Sequence, residues 1–135
     1  KNEINVLGGN QLRPNINIFD MCNLYLELLK FDSSIINGNI YNAGYQNHSV
    51  LEIANMIKEK INKNNIIINL KPTNDNRSYH ICSDKIFDEL NFINQYTVED
   101  AIDSLTQAFN EKKLVEPLNN ELYYNIKRMQ NINLK

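Results

Sequence analysis

The chain contains few of the residues that are typical of metal, redox or membrane proteins. Its 135 residues include only two cysteines, Cys22 and Cys82, and two histidines, His48 and His80. There is no C-x-x-C pair, and neither histidine has a partner at metal-ligand spacing, so the sequence predicts no metal site. We expect the two cysteines to be reduced thiols of the core type in a cytoplasmic protein.

Glycine, basic charge and long apolar runs are scarce as well. With only four glycines, the chain has no G-x-G-x-x-G or G-x-x-x-x-G-K-[ST] loop to surround a phosphate. No apolar run approaches the ~18–20 residues of a membrane span, and no signal peptide is visible. The net charge of −2 argues against nonspecific binding of nucleic acid. We therefore expect neither a membrane nor a nucleic-acid partner, and a bound phosphate would need a local site.

The apolar residues recur in short strand-like and helical patterns along the whole chain. Their order predicts an α/β fold with short strands and amphipathic helices, in one domain over residues 1–135. The chain begins in mid-pattern at Lys1 without an initiator Met, from which we expect a piece of a longer protein. Strands are predicted at residues 4–7, 40–44 and 66–70, and helices at 18–29, 49–61, 84–90, 97–109 and 119–129.

Local signals mark where several of these elements begin and end. Ser49 and Glu52 have the spacing of a capping box, in which each side chain binds the other's backbone N–H. Ser83 is the expected N-cap of the helix at 84–90. The helix that begins at Ser49 is expected to fade at residues 62–65, and residues 72–76 are expected to form a loop. Because these signals are local, they predict where an element begins or ends better than they predict how the elements pack.

Two arginines lie on turn-rich segments before helices. Planar guanidinium groups bind phosphate oxygens through two parallel hydrogen bonds, which makes Arg13 and Arg77 candidate anion ligands. Arg13 precedes Pro14, which favours extended backbone there, and it could equally be a solvated loop residue. Tyr79 shares a face with Arg77 in an extended segment. The alternative for Arg77 is a surface ion pair with Asp75, which would contribute little to stability.

A second pattern, near the C-terminus, resembles a catalytic tyrosine and lysine pair. Tyr123 and Lys127 match Y-x-x-x-K, and on one helix the lysine could lower the pKa of the tyrosine for acid–base chemistry. The match is common by chance in a chain with seven tyrosines. We interpret it as a structural helix face.

Three segments, taken together, resemble extended short-chain dehydrogenases/reductases that act on nucleotide sugars. Residues 7–21 read LGGNQLRPNINIFDM and are similar to G-x-Q-x-R-x-x-x-x-V-x-D. Residues 40–54 contain YNAG and SVLEIA, similar to Y-N-x-G followed by S-V-x-E. Residues 75–92 resemble D-x-R-x-Y-x-x-x-x-x-K followed by E-L-G-F. The resemblance covers about residues 4–109.

The resemblance implies a fold and a function. It implies the C-terminal, substrate-binding portion of an NAD(P)-dependent epimerase or dehydratase with a Rossmann-type fold. The arginines that match Arg13 and Arg77 bind the nucleotide diphosphate in that family, and Gln11 and Tyr79 are secondary substrate-binding residues. NAD or NADP and the catalytic groups belong to the N-terminal Rossmann half, so we expect no cofactor or catalytic residue on this chain. The full-length enzyme is expected to be a cytoplasmic homodimer.

The chain also departs from the family pattern. Asn91 replaces the usual glycine before Phe92, Asn17 stands where a histidine is common, and the Rossmann half is absent. The strand at residues 40–44, which joins the Rossmann sheet in the family, could here be an unpaired edge. One hypothesis is therefore that the chain is part of an enzyme. The other is that it is a non-catalytic nucleotide-sugar-binding or interaction module. A degenerate relative without activity or ligand is a third.

Overall fold

The chain forms a small α/β structure, as the sequence predicts. The computed structural model describes residues 2–61, 65–75 and 77–133. The contacts divide the chain into two compact units, Lys1–Asp103 and Ser104–Lys135. The strands are β1 (Glu3–Leu7), β2 (Leu12–Asn15), β3 (Gln46–Ser49) and β4 (Ile67–Lys71). The helices are α1 (Ile18–Leu28), α2 (Ser33–Ile36), α3 (Val50–Ile61), α4 (Asp84–Leu90), α5 (Val98–Asn110) and α6 (Asn125–Asn131), with a 3-10 turn at Glu121–Tyr123.

The first unit contains two separate two-stranded sheets. Strands β1 and β4 pair in parallel, with Val6 opposite Leu70. Strands β2 and β3 pair antiparallel, with Arg13 opposite His48. The predicted strands at residues 4–7 and 66–70 are thus confirmed as β1 and β4. β1 leads into β2 through a glycine turn, and this turn connects the two sheets.

That turn is fixed by glycine conformation and by the start of α3. Gly8 and Gly9 have φ of 78° and 134°, values that L side chains rarely adopt. The backbone N–H of Leu51 donates to the Gly9 carbonyl at 3.0 Å. The capping box is confirmed, because Ser49 N–H donates to Glu52 at 2.6 Å and Glu52 N–H donates to Ser49 Oγ at 3.1 Å.

The central hydrophobic cluster lies between α1 and α4. Its buried members are Leu24, Ile86 and Leu90. Asp20 is also buried, with 1% of its surface exposed. Its carboxylate accepts hydrogen bonds from the backbone N–H groups of Gln95 and Tyr96, both at 3.0 Å. A buried charge requires such donors, so Asp20 holds the loop that precedes α5 against α1.

The prediction of a strand at residues 40–44 is wrong. The structure has no strand there, and Ile40 is 85% exposed. The neighbouring strand is β3, which begins at Gln46 and consists of four polar residues, QNHS, without the β-branched residues that mark strands. Apolar content alone misled the prediction, because a strand also needs a partner with which to pair.

Several smaller expectations also require correction. Cys22 and Cys82 are exposed free thiols and not core residues. Arg13 lies within strand β2 and not in a loop. Ser83 precedes α4 but makes no side-chain cap bond, because its hydroxyl accepts from the backbone N–H of Gly44 at 3.1 Å. The expected fading of α3 falls mostly on residues 62–64, which lie outside the described residues.

The second unit corrects the predicted C-terminal helix. Residues 119–129 do not form one helix, since the 3-10 turn ends at Tyr123 and α6 begins at Asn125. Tyr123 and Lys127 therefore do not share a helix, and Lys127 Nζ lies instead 6.0 Å from the ring centroid of Tyr124. Arg128 forms an ion pair with Glu121. The interpretation of Tyr123 and Lys127 as one helix face is therefore wrong.

Candidate functional site

Strand β2 fixes the first of the two candidate arginines. Arg13 Nη1 donates to the carbonyl of Leu12 at 2.9 Å and to the carbonyl of Arg77 at 2.6 Å. Its guanidinium carbon lies 5.6 Å from the ring centroid of Tyr79, within the range of a cation–π contact. The Arg13 side chain is 30% exposed. Arg13 is therefore held in place by backbone carbonyls from both segments.

The segment that carries Arg77 is bound along strand β2. Leu12 N–H donates to Ser78 Oγ at 2.9 Å, and Tyr79 N–H donates to the Leu12 carbonyl at 3.1 Å. Further on, Asn47 makes two hydrogen bonds with the backbone of Ile81, both at 3.1 Å. Residues 77–81 form no strand of their own. These bonds nevertheless bring residues 77–81 against the β2–β3 sheet.

Arg77 is bound side-on by Asp75. Arg77 Nε donates to Asp75 Oδ1 at 2.7 Å, and Arg77 Nη2 donates to Asp75 Oδ2 at 3.0 Å. The same Oδ2 lies 3.5 Å from Arg13 Nη2. The ion pair considered as the alternative for Arg77 is thus present. Because the Arg77 side chain is 72% exposed, this pairing does not close the guanidinium off from solvent.

The charges of the cluster perturb one another. The pKa of Asp75 is lowered from 3.8 to about 2, mainly by the hydrogen bond from Arg77 and in smaller part by the positive charge of Arg13. In return, the hydrogen bond to Asp75 raises the pKa of Arg77. Asp75 is therefore ionised throughout the physiological range, and two guanidinium groups and one carboxylate give these three side chains a local charge of +1. The local excess is positive although the chain as a whole is negative.

The four residues predicted from the sequence lie in one region, with different surroundings. Arg13, Arg77 and Tyr79 form one cluster around Asp75. Tyr79 is 47% exposed. Gln11 is used by the glycine turn, since its Oε1 accepts from Gly9 N–H at 2.6 Å and its Nε2 donates to the Leu7 carbonyl at 2.7 Å. Its role in substrate binding stays a prediction, and its visible contacts stabilise the turn.

Two neighbouring residues were not among the predicted substrate-binding residues. Asp75 was considered as a surface ion-pair partner of Arg77. His48 lies in β3 opposite Arg13. Cross-strand partners share a sheet face, and His48 Nε2 is buried without a hydrogen-bond partner among the described residues. The strand pairing that brings His48 to Arg13 has no signal in the polar sequence of β3.

A separate cleft of about 480 Å³ lies between α1 and the end of α4. The carboxylates of Asp20 and Glu27 line it together with Leu24, Phe31 and Phe92. Acidic side chains repel phosphate, so this cleft does not suit the anionic ligand that the arginines suit. Over the described ranges, no helix has the length and apolar character to cross a membrane. Nor do the residues in those ranges include a group of three His, Cys, Asp or Glu side chains able to hold a metal ion.

Comparison with solved structures identifies the class of fold. The chain has the fold of a part of the extended short-chain dehydrogenases/reductases. It matches L-threonine dehydrogenase from Phytophthora infestans with a TM-score of 0.70 at 12% identity, covering 82% of this chain and 38% of that enzyme.

Two nucleotide-sugar enzymes have the same fold. UDP-glucose 4-epimerase from Bifidobacterium longum, in complex with NAD+ and UDP, matches with a TM-score of 0.64 at 21% identity, over 82% of this chain and 36% of the epimerase. The dTDP-glucose 4,6-dehydratase from Bacillus anthracis, in complex with NAD, matches with a TM-score of 0.61 at 19% identity, over 93% and 37%. No family model matches the chain, and no curated protein does.

These likenesses confirm the predicted fold class and its likeness in fold to a part of extended short-chain dehydrogenases/reductases. The chain covers less than two fifths of each of these three enzymes. At such identities the likeness concerns the fold alone. The fold is shared by a dehydrogenase of L-threonine and by enzymes of nucleotide sugars, so the choice of substrate depends on the residues of the site.

Proposed function

We propose that this chain binds the diphosphate of a nucleotide sugar through Arg13 and Arg77, as the substrate-binding part of an NAD(P)-dependent epimerase or dehydratase. The observation that carries the proposal is the convergence of the two arginines, 64 positions apart, on one exposed cluster. Two guanidinium groups held close together can each bind a phosphoryl group of one diphosphate. The motifs that contain these residues are the ones that resemble the nucleotide-sugar enzymes.

The two arginines would contribute differently. The Nη1 atom of Arg13 is held by carbonyl oxygens, so Arg13 would offer its remaining N–H groups from a fixed position. Arg77 is mostly exposed and is held by Asp75 along one edge of its guanidinium group only. The adjacent edge, between Nη1 and Nη2, would face the ligand. A hydrogen bond between charged partners of this kind contributes about 1.5–3 kcal/mol.

The enzymatic part of the proposal extends beyond these residues. The complexes of the epimerase and the dehydratase contain NAD+ or NAD, and this chain carries no glycine-rich dinucleotide motif. The nicotinamide chemistry would therefore come from a further part of the enzyme. Within that division, Arg13 and Arg77 hold and orient the substrate and do not take part in proton or hydride transfer.

Calorimetric titration of the 135-residue protein with UDP tests the proposal. We expect saturable binding, and we expect Arg77→Ala to weaken it at least about tenfold, since losing one charge-assisted bond costs 1.5 kcal/mol or more. Arg128→Ala is the matched control, because Arg128 is the third arginine of the chain and belongs to the second unit. Equal dissociation constants for wild type and Arg77→Ala would refute the site.

A further inference from the structure

Asp75 lies at the centre of the cluster, but the site as proposed gives it no role. It accepts hydrogen bonds along the Nε–Nη2 edge of Arg77 and lies 3.5 Å from Arg13 Nη2. Two local bonds hold its own backbone and side chain. Asp75 N–H donates to Thr73 Oγ1 at 3.1 Å, and Asp75 Oδ1 also accepts from Arg77 N–H at 3.3 Å. The carboxylate is thus anchored within the loop that it organises.

The geometry of the pair separates two edges of the guanidinium group. An arginine can bind an anion side-on, through Nε and Nη2, or end-on, through Nη1 and Nη2. Asp75 occupies the side-on edge with both of its oxygens. Because the guanidinium group is planar and rigid, holding one edge sets the direction of the other. The end-on edge of Arg77 is therefore oriented before any ligand arrives.

Such orientation matters for a long and exposed side chain. Arginine loses much rotamer freedom when it is immobilised, and binding is weakened by the part of that loss that occurs on association. Arg77 is 72% exposed, so little restrains it apart from the ion pair and a contact with the Tyr79 side chain. Arg13 depends less on Asp75, because two backbone carbonyls hold its Nη1.

The carboxylate could instead compete with the ligand for Arg77. Two observations speak against that role. Asp75 does not contact Nη1 at the end-on edge of Arg77, and its own side chain is 41% exposed, so water and salt screen its repulsion of a phosphoryl group at that adjacent edge. Removing the carboxylate removes both hydrogen bonds to the side-on edge of Arg77, whereas the screened repulsion is small.

We propose that Asp75 is a positioning residue, which presents the end-on edge of Arg77 to a phosphoryl group of the ligand. The inference rests on the proposed function of the arginine cluster and adds a member that acts through Arg77. The ion pair would then serve ligand binding. It would contribute little to the stability of the fold, because exposed ion pairs contribute little to stability.

The test is a double-mutant cycle measured by titration with UDP. We expect Asp75→Asn to weaken binding roughly threefold to tenfold, the range that corresponds to ordering one long side chain on association. In an Arg77→Ala background the same substitution should cause no further loss, because Asp75 would act through Arg77. Asp75→Glu, which keeps the charge, should recover part of the affinity. The urea midpoints of Asp75→Asn and wild type should agree.

A second measurement tests positioning without any ligand. Relaxation of the Arg77 side-chain ¹⁵Nε–H by NMR should report an ordered group in the wild type and a mobile one in Asp75→Asn. Equal mobility in the two proteins would overturn the inference. So would UDP binding by Asp75→Asn that equals or exceeds that of wild type, or an equal loss in the Arg77→Ala background. Failure of wild type to bind UDP refutes the proposed function instead, and the relaxation result still decides the role of Asp75.

Discussion

At the scale of single residues, one shared carboxylate joins the two arginines of the cluster. Asp75 contacts both guanidinium groups, although Arg13 and Arg77 come from segments that are distant in the sequence. The hydrogen bond from Arg77 is the largest cause of the lowered pKa of Asp75. Since the pKa in the folded state lies below the ordinary value, the small contribution of this exposed ion pair to stability is present above about pH 4 and is lost as the pH falls towards 2.

This coupling gives a direct spectroscopic prediction. We expect the carboxyl carbon of Asp75, followed by NMR, to titrate with a midpoint of about 2 in the wild type. In Arg77→Ala the midpoint should rise towards the ordinary value of 3.8, and in Arg128→Ala it should not move. The pair seen in the structure would be absent in solution if the wild-type carboxyl already titrated near 3.8.

At the scale of elements, the end of α4 explains a departure from the family pattern. Asn91 is the C-cap of α4, with φ of 51° in the left-handed region, and its N–H donates to the Phe87 carbonyl at 2.8 Å. Glycine is the most common residue at such positions, and asparagine tolerates them better than other side chains do. Asn91 therefore satisfies the same backbone requirement as the glycine it replaces.

The backbone at Asn91 can be tested by two matched substitutions. We expect Asn91→Ala to lower the free energy of unfolding by about 1 kcal/mol, because alanine is strained at positive φ. Asn91→Gly should be neutral or slightly stabilising, since glycine adopts this conformation freely. Urea unfolding of the three proteins gives the comparison. If alanine and glycine gave the same midpoint, a left-handed C-cap at this position would be ruled out.

At the scale of the whole molecule, the chain has the fold of one part of larger enzymes. It covers 36–38% of the three solved enzymes described above. The fold supplies the two sheets and the glycine turn that bring the arginines together. The dinucleotide site would need a glycine-rich loop after a strand, and the sequence contains none.

Ligand binding should therefore separate substrate from cofactor. We expect the 135-residue protein to bind UDP saturably and to show no saturable binding of NAD+ in the same calorimetric experiment. The reason is that the chain offers arginines for a diphosphate but no glycine loop for a dinucleotide. NAD+ binds through a diphosphate as well, so weak binding of NAD+ that disappears in Arg77→Ala would be attributed to the arginine cluster. Binding of NAD+ that survives Arg77→Ala would contradict the division of roles.

The fold could be predicted well wherever its determinants are local. The capping box of Ser49 and Glu52 placed the start of α3 correctly, since its hydrogen bonds join residues three apart. The β-branched run before Leu70 likewise marked β4. Strand β3 was missed and a strand at residues 40–44 was wrongly expected, because strand formation depends on a partner elsewhere in the chain.

The sequence by itself determined the composition of the site and the turns and helices around it. Arg13 and Arg77 are recognisable from their motifs, and the glycine turn and the helix caps follow from interactions within a few residues. Only the tertiary structure decided that Arg13 Nη1 binds the carbonyl of Arg77, that Asp75 lies between both guanidinium groups, and that His48 faces Arg13. Apart from the local pair of Asp75 with Arg77, those contacts join segments 35 to 64 positions apart, and they form only when strand pairing and packing bring the segments together.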